Sequence, residues 1–361
     1  MAPIPYICGY IKQTTGDYLD VPSWAPGIVL FRGPLHSTTQ PQYYNYAMKP
    51  KKDYAGNFWF FAKYNMDPTL LYLVRASLNP DESVSLTYLE LRSVLGYTIE
   101  PNQLTIDKNG CVYFPHNIPG DLHQGIVKVD PNTGPWTVTT RIWTFNENFA
   151  WSACVTLNKD HSMVVCMHQN NQGMGTVLVA YNTSNLVLAG YKVFGSIESV
   201  DIPYNMETDV SGGVHDGLGC YIVNKPQSKE IVMFDWSGPP PTQMNIYRTV
   251  IDQLNGGDMV AIDTAGKLRT MTHNVTTGVS LNVYDPLAAG LFAIPPSESY
   301  PKTCVIYPNH HDLRRSVNDE WMTANCVVVE KLAANPYTET VKHNVPSYDF
   351  AGEGCDREAY S

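Results

Sequence analysis

The sequence predicts an all-β fold, a six-bladed β-propeller of four-stranded antiparallel blades. Three observations lead there. The composition is strand-rich, with 43% hydrophobic and only 16% charged residues and with 23 tyrosines, and aromatic and β-branched residues favour pleated sheets. Apolar runs of strand length alternate with polar turns, and none approaches the roughly 18 residues of a membrane span. Finally, one layout recurs: apolar strand, polar turn, second strand, polar loop, and a third strand closed by Asp or Asn. Taken on the third strand, its centres fall near Tyr72, Val127, Val177, Val232, Leu281 and Val341, a period of roughly fifty residues that suits a propeller blade.

In chain order, Gly27-Ile-Val-Leu-Phe31 stands outside the repeat, in an N-terminal segment 1–40. It is expected to close the ring by supplying the outermost strand missing from the last blade, which removes two open sheet edges. The first repeat carries its third strand at Tyr72 and its fourth over 83–91. The clearest copy runs through 103–107, the turn Lys108-Asn-Gly, 111–116 and 125–130, with a fourth strand over 136–143. Asn109-Gly110 between apolar runs signals a hairpin, because both residues tolerate positive φ.

The next copy takes 153–158, the turn Lys159-Asp-His, 162–168, 176–182 and 187–194. A further one has its third strand at Val232 and its fourth over 244–251. Residues 258–263, the turn Thr264-Ala-Gly, 267–273, 280–285 and a short fourth strand over 291–294 make the fifth. The last begins at Thr303-Cys-Val-Ile-Tyr, passes a polar segment, His310-His-Asp-Leu-Arg-Arg, and reaches Val341. The whole chain, 1–361, reads as one domain; seven blades, with the first 55 residues as an irregular extra blade, is the alternative count.

Charge narrows the partners. With 24 Lys+Arg against 34 Asp+Glu the net charge is -10, which opposes binding to nucleic acid or an anionic membrane. No basic residue precedes Lys12, so a secretory signal is not expected. The eight cysteines are scattered without a CxxC pair and read as reduced, buried thiols of a cytoplasmic protein. The patterns Asn182-Thr-Ser and Asn274-Val-Thr leave a secreted, partly disulfide-bonded form open.

Nucleophile-elbow, Walker, dinucleotide-loop, EF-hand and zinc patterns are absent from the sequence, so no cofactor and no metal are expected. A Ser-His-Asp set assembled in space stays open. What the repeat does single out is the end of the second strand, where successive copies carry Tyr64-Asn65, His116-Asn117, His168-Gln169, Asn224 and His273-Asn274. Neutral donors and acceptors at one repeat position can hold and polarise carbonyl or hydroxyl oxygens. Polar residues also simply cap strands before surface loops.

The inter-blade loops are expected to bring a second set to the same face: Asn102, Phe149, Trp151, Tyr204, Glu207, Asp209, Asp258 and Tyr300. An aromatic lining with a few acids and amides suits a small-molecule pocket. Clustered acids near an axis bind a cation or hold shifted pKa values.

Two resemblances bear on function. The segments Asn102-Gln-Leu-Thr-Ile-Asp-Lys-Asn-Gly and Asp258-Met-Val-Ala-Ile-Asp-Thr-Ala-Gly-Lys-Leu look like strand starts of the gluconolactonase-like six-bladed propellers, where such an Asn and Asp ligate a catalytic divalent cation. That likeness implies a calcium-dependent lactonase-like hydrolase, with Asn102 and Asp258 as ligands.

In general type, a cysteine-reduced propeller of this size without cofactor motifs resembles the fungal hetero-Diels-Alderases of tropolone-sesquiterpene biosynthesis, which join a quinone methide to a terpene olefin. This second likeness implies a cofactor-independent cyclase. Phe149, Trp151 and Tyr204 would hold the apolar partner, His116, His168 or His273 would polarise the oxygenated one, and Asp209 would act as base. A pericyclic step needs shape and a few donors rather than a nucleophile. A lectin or scaffold propeller is the third reading, and it would repeat its binding residues more faithfully from blade to blade.

Overall fold

The computed structural model describes residues 7–13, 16–22, 29–34, 43–64, 70–78, 84–99, 101, 103–116, 124–142, 149–170, 175–195, 206–224, 228–235, 244–251, 259–263, 265–274, 278–302, 313–315, 321–323, 328–331, 337–339 and 356–357. Two compact units divide the chain, Met1–Ile99 with Asn309–Ser361, and Glu100–Pro308. Among the described residues the chain forms seven four-stranded antiparallel sheets, numbered below in chain order.

The terminal unit holds three of them. The first sheet joins Ile7–Gln13, Gly16–Pro22 and Val29–Pro34 to the C-terminal strand Asp356–Arg357. The second comprises Tyr43–Lys52, Phe58–Tyr64, Leu71–Leu78 and Val84–Glu90. The seventh comprises Leu313–Arg315, Trp321–Thr323, Val328–Lys331 and Tyr337–Glu339.

The central unit holds the third sheet, of Thr105–Ile106, Val112–His116, Gly125–Asp130 and Thr137–Ile142, and the fourth, of Phe149–Leu157, Met163–Asn170, Gly175–Asn182 and Leu188–Gly195. Met206–Thr208, Gly219–Asn224, Lys229–Asp235 and Asn245–Ile251 make the fifth. The sixth has Met259–Ile262, Leu268–Asn274, Gly278–Tyr284 and Glu298–Lys302.

The repeat read from the sequence is therefore physical, a series of four-stranded antiparallel sheets. Three placements differ. The termini do share a sheet, but Asp356–Arg357 pairs with Ile7–Gln13 at one edge while Val29–Pro34 forms the other. The N-terminal segment supplies three strands of its own sheet, so what it lacks is the strand that the C-terminus adds. In the seventh sheet the polar run at 313–315 is itself a strand, with Arg314 opposite Met322 and Arg315 opposite Trp321; charged residues are at home on a sheet edge. The third strand there is Val328–Lys331 rather than one centred on Val341; the expected strand at 303–307 lies outside the described residues.

In the sixth sheet the fourth strand is Glu298–Lys302, and residues 291–292 belong instead to a small hairpin of Pro286–Leu287 and Leu291–Phe292. Positive φ at Ala289 and Gly290 turns the chain back early. Phe292 is buried against His215, edge to face at 4.8 Å, and its N–H donates to Thr249 Oγ1 at 3.1 Å.

The core lies between neighbouring sheets. Val112–His116 is buried at every position whereas the outer Thr137–Ile142 is mostly exposed, so central strands are apolar on both faces. One cluster packs Tyr113 and Ile126 of the third sheet on Val155, Val164, Cys166 and Val177 of the fourth. Another packs Val165, Leu178 and Phe194 on Met206, Tyr221 and Val232 of the fifth. The third joins Cys220, Ile231 and Met233 to Val260, Leu268 and Tyr284 of the sixth. Each fully buried aliphatic side chain contributes about 1.5–3 kcal/mol.

The turn between first and second strands is built one way in several sheets. Asp107 Oδ1 accepts the N–H groups of Asn109 and Cys111 at 2.8 and 2.9 Å, and Oδ2 accepts the Tyr113 hydroxyl at 2.8 Å. Asp53 does the same with Ala55, Asn57 and Trp59 Nε1. Asp263 takes Ala265, Lys267 and the Arg269 guanidinium. Gly56, Gly110 and Gly266 follow three residues after the acid with φ of 89°, 81° and 75°. Asn109 keeps a negative φ, so the turn is a tight turn with a glycine bulge rather than a primed hairpin, because the carboxylate organises the backbone.

One glycine shows how closely adjacent strands approach. A Cβ on Gly219 would land on the ring of Phe234, its cross-strand partner. Gly219→Ala is expected to lower unfolding stability by about 1–3 kcal/mol through overpacking, measured by urea denaturation; an unchanged midpoint would show that the ring moves aside freely.

Candidate functional site

The second strands of the central unit finish at His116, Asn170, Asn224 and Asn274, the end the sequence singles out. At that end the apolar cluster between the third and fourth sheets gives way to a buried polar layer. Gln103, His116, Gln124 and His168 are each fully buried.

Register explains their convergence. His116 pairs with Gly125, whose carbonyl lies 3.9 Å from Cys166 Sγ of the fourth sheet. His168 stands two residues beyond Cys166, on the same face of its strand. Gln103 reaches across in the other direction, accepting the Val155 N–H through Oε1 at 3.1 Å, while its Nε2 has no partner. A buried carboxamide with its acceptor occupied and its donor open is an oriented donor for an oxygen.

The electrostatics keep the layer neutral. Burial, with His116 adding to it, holds His168 down at about 3. An imidazole of that kind is uncharged at neutral pH and can donate or accept a hydrogen bond without carrying a proton into the core. Cys166 behaves likewise, its thiol pushed well up by burial.

Of the other residues singled out in the sequence, Phe149, Trp151 and His168 share one end of the fourth sheet: Phe149 pairs with Asn170, Trp151 with Gln169 and Ser152 with His168. His273 pairs with Val279 and Tyr300 with Leu281 in the sixth sheet, and Tyr64 with Tyr43 in the second. Asn102, Tyr204 and Asp258 lie outside the described residues.

Asp209 and the histidines are not brought together. Asp209 follows the strand Met206–Thr208 and sits in the turn before Gly219, whereas Asn224 marks the opposite end of the sheet. Glu207 is half-buried within that strand, opposite Cys220. Gln103 and Gln124 went unmarked in the sequence, and only their position beside otherwise apolar strands could have signalled them. Among the described residues no group of three or more His, Cys, Asp or Glu side chains is placed to hold a metal ion, and no helix is long and apolar enough to cross a membrane. Cys111, Cys154, Cys166 and Cys220 are free, buried thiols.

No protein-family model matches the chain, and neither does any curated protein. Solved structures do. A functionally unknown protein from Desulfotomaculum acetoxidans is 9% identical at a TM-score of 0.66, covering 98% of this chain and 99% of its own. The Dos1 propeller is 9% identical at a TM-score of 0.50, with 85% of this chain and 72% of that one covered. The WD40 domain of Toxoplasma gondii coronin is 12% identical at 0.51, over 83% of this chain and 69% of that one. At such identities the likeness shows the fold alone, a β-propeller.

Proposed function

We propose that this β-propeller is a cofactor-independent cyclase acting on a small, largely apolar molecule with a carbonyl oxygen, of the hetero-Diels-Alder type that joins a quinone methide to a terpene olefin. The observation that carries the reading is the buried neutral layer of Gln103, His116, Gln124 and His168, in which the Gln103 donor is open. A hydrogen bond to the carbonyl lowers the empty π* orbital of an electron-poor heterodiene and stabilises the charge that develops on oxygen in the transition state, and fixed donors in a dry site do so with little reorganisation. Holding diene and olefin in register supplies the rest of the acceleration.

In this reading Phe149 and Trp151, at the same end of the fourth sheet as His168, belong to the wall for the olefin. Tyr204 and Tyr300 are assigned to substrate binding with them. No metal takes part, and Asn102, Glu207 and Asp258 bind substrate rather than calcium. Asp209, at the turn end of its sheet, is given no part in the chemistry. The setting is cytoplasmic, where the buried thiols stay reduced.

The test is turnover of a quinone methide precursor with a terpene olefin by purified protein, with product stereochemistry read by chiral chromatography. Gln103→Leu and His168→Phe are expected to lower kcat about 10²–10³-fold each, with EDTA without effect. Turnover abolished by EDTA and restored by calcium would favour a lactonase-like hydrolase; product formation equal to the uncatalysed rate would leave a binding propeller.

A further inference from the structure

The turn acids of the sheets differ in what fills Oδ2, and the difference follows a rule. In the register each acid stands two residues after the partner of one particular second-strand residue. That residue is Trp59 opposite Lys51, Tyr113 opposite Thr105, and Arg269 opposite Ala261. All three donate to Oδ2 of their own acid, at 2.8 Å in each case. In the fourth sheet the same position is Val165, opposite Thr156. The donor is missing there, and so is the acid: Asn158 stands in its place, its Oδ1 taking the Met163 N–H and its Nδ2 donating to Ser162.

The fifth sheet breaks the rule. Its donor position is Cys220, opposite Glu207, yet the acid is kept as Asp209. Oδ1 accepts the Ser211 N–H at 2.8 Å, but Oδ2 is fully buried and accepts no hydrogen bond. His215, six residues on, meets the Leu287 carbonyl through Nε2 at 2.6 Å, and its buried Nδ1 makes no hydrogen bond.

Gly266 and the Ser211 hydroxyl stand close to Oδ2. A Cβ on Gly266 would stand 3.6 Å from Asp209 Oδ2 and 2.9 Å from Ser211 Oγ. One on Gly213 would stand 3.1 Å from Ser211 Oγ and 3.8 Å from the Ala265 carbonyl. Glycine at 266 thus leaves open the space beside Oδ2, and glycine at 213 leaves the Ser211 hydroxyl and the Ala265 carbonyl uncrowded.

We propose that the fifth-sheet turn binds a monovalent metal cation, sodium or potassium, at Asp209 Oδ2 with Ser211 Oγ and the Ala265 carbonyl as neutral oxygen ligands. The cation occupies the role that the Arg269 guanidinium has in the sixth sheet. A buried carboxylate needs an opposite charge or donors, and hard oxygen ligands select alkali or alkaline-earth ions. A single carboxylate balances one charge, whereas calcium sites gather several. The site lies at the turn end of the sheets, away from Gln103 and His168, so it stands or falls separately from the cyclase reading.

Two measurements decide it. Thermal unfolding is compared in sodium, potassium and choline chloride at one ionic strength, for the wild type and for Asp209→Asn, which reproduces the neutral arrangement of the fourth sheet. Crystals of the wild type are soaked in thallium(I) acetate and examined for anomalous scattering. Tm is expected to rise by about 2 °C or more in sodium or potassium over choline, to lose that response in Asp209→Asn, and a thallium peak is expected at Asp209 Oδ2. Ser211→Ala, which keeps the carboxylate, should weaken the response without removing it. Equal Tm in all three salts or the absence of the thallium peak would each overturn the assignment.

Discussion

Arg269→Leu is expected to lower the unfolding free energy by about 3–5 kcal/mol, because it strands a buried carboxylate. Arg269 and Asp263 are each almost wholly buried. The guanidinium donates to Asp263 Oδ2 through Nε at 3.1 Å and through a terminal nitrogen at 2.8 Å. Asp263 Oδ1 holds the Ala265 and Lys267 N–H groups at 2.9 Å each. Truncating the arginine therefore leaves an acid that the turn still needs but that the core cannot solvate.

The double variant Asp263→Asn/Arg269→Val copies the pair found at Asn158 and Val165 and is expected to recover most of the loss. The measurement is a double-mutant cycle by urea unfolding. A single-variant loss below about 1 kcal/mol, within the range of exposed ion pairs, would show that water reaches the carboxylate. Cycles at Asp107 and Tyr113 should show a smaller coupling, since a hydroxyl brings a hydrogen bond but no charge.

The internal repeat explains which parts of this architecture can be read from the sequence. Strands 111–116, 125–130 and 162–168 are legible because both faces are buried and the turns between them are short and polar. His116 and His168 are legible for the same reason, as polar residues at one phase of an apolar repeat. Asp209 misleads because its strand has only three residues, Met206–Thr208, so an acid that reads as a strand start stands at the strand's far end.

The first sheet is illegible for a different reason. One of its strands comes from Asp356–Arg357, and no local pattern reports a pairing across the length of the chain. The hairpin at 286–292 hides because Leu291 and Phe292 have the composition of a fourth strand; only the positive φ at Ala289 and Gly290 diverts them. The turn acids were in view throughout, as Asp53 to Trp59, Asp107 to Tyr113 and Asp263 to Arg269, yet a spacing of six residues carries no meaning until the hairpin brings its ends together.

Acid should destabilise the protein through His168 in a defined window. The group's ordinary value is 6.5 and burial beside His116 holds it at about 3 in the fold. Above pH 6.5 both folded and unfolded chains carry a neutral imidazole, and the group adds no pH dependence. Between 6.5 and 3 the unfolded chain binds a proton that the folded chain refuses, so stability falls with pH, by about 1.4 kcal/mol per unit. By pH 4.5 the loss from this one residue should be about 2–3 kcal/mol.

His168→Gln removes that proton site while keeping a polar side chain, so the difference in stability between the two proteins should shrink or change sign as pH falls from 7 to 4.5. Asp160 and Asp216, whose carboxyls are held below the usual range by hydrogen bonds from Ser162 and from Lys159 respectively, also lose stability in acid. They are present in both proteins and cancel in the difference. A difference that stays constant across that range would mean that His168 takes up its proton in the folded state as readily as in the unfolded one, and the layer on which the proposed chemistry rests would then become charged below about pH 6.5.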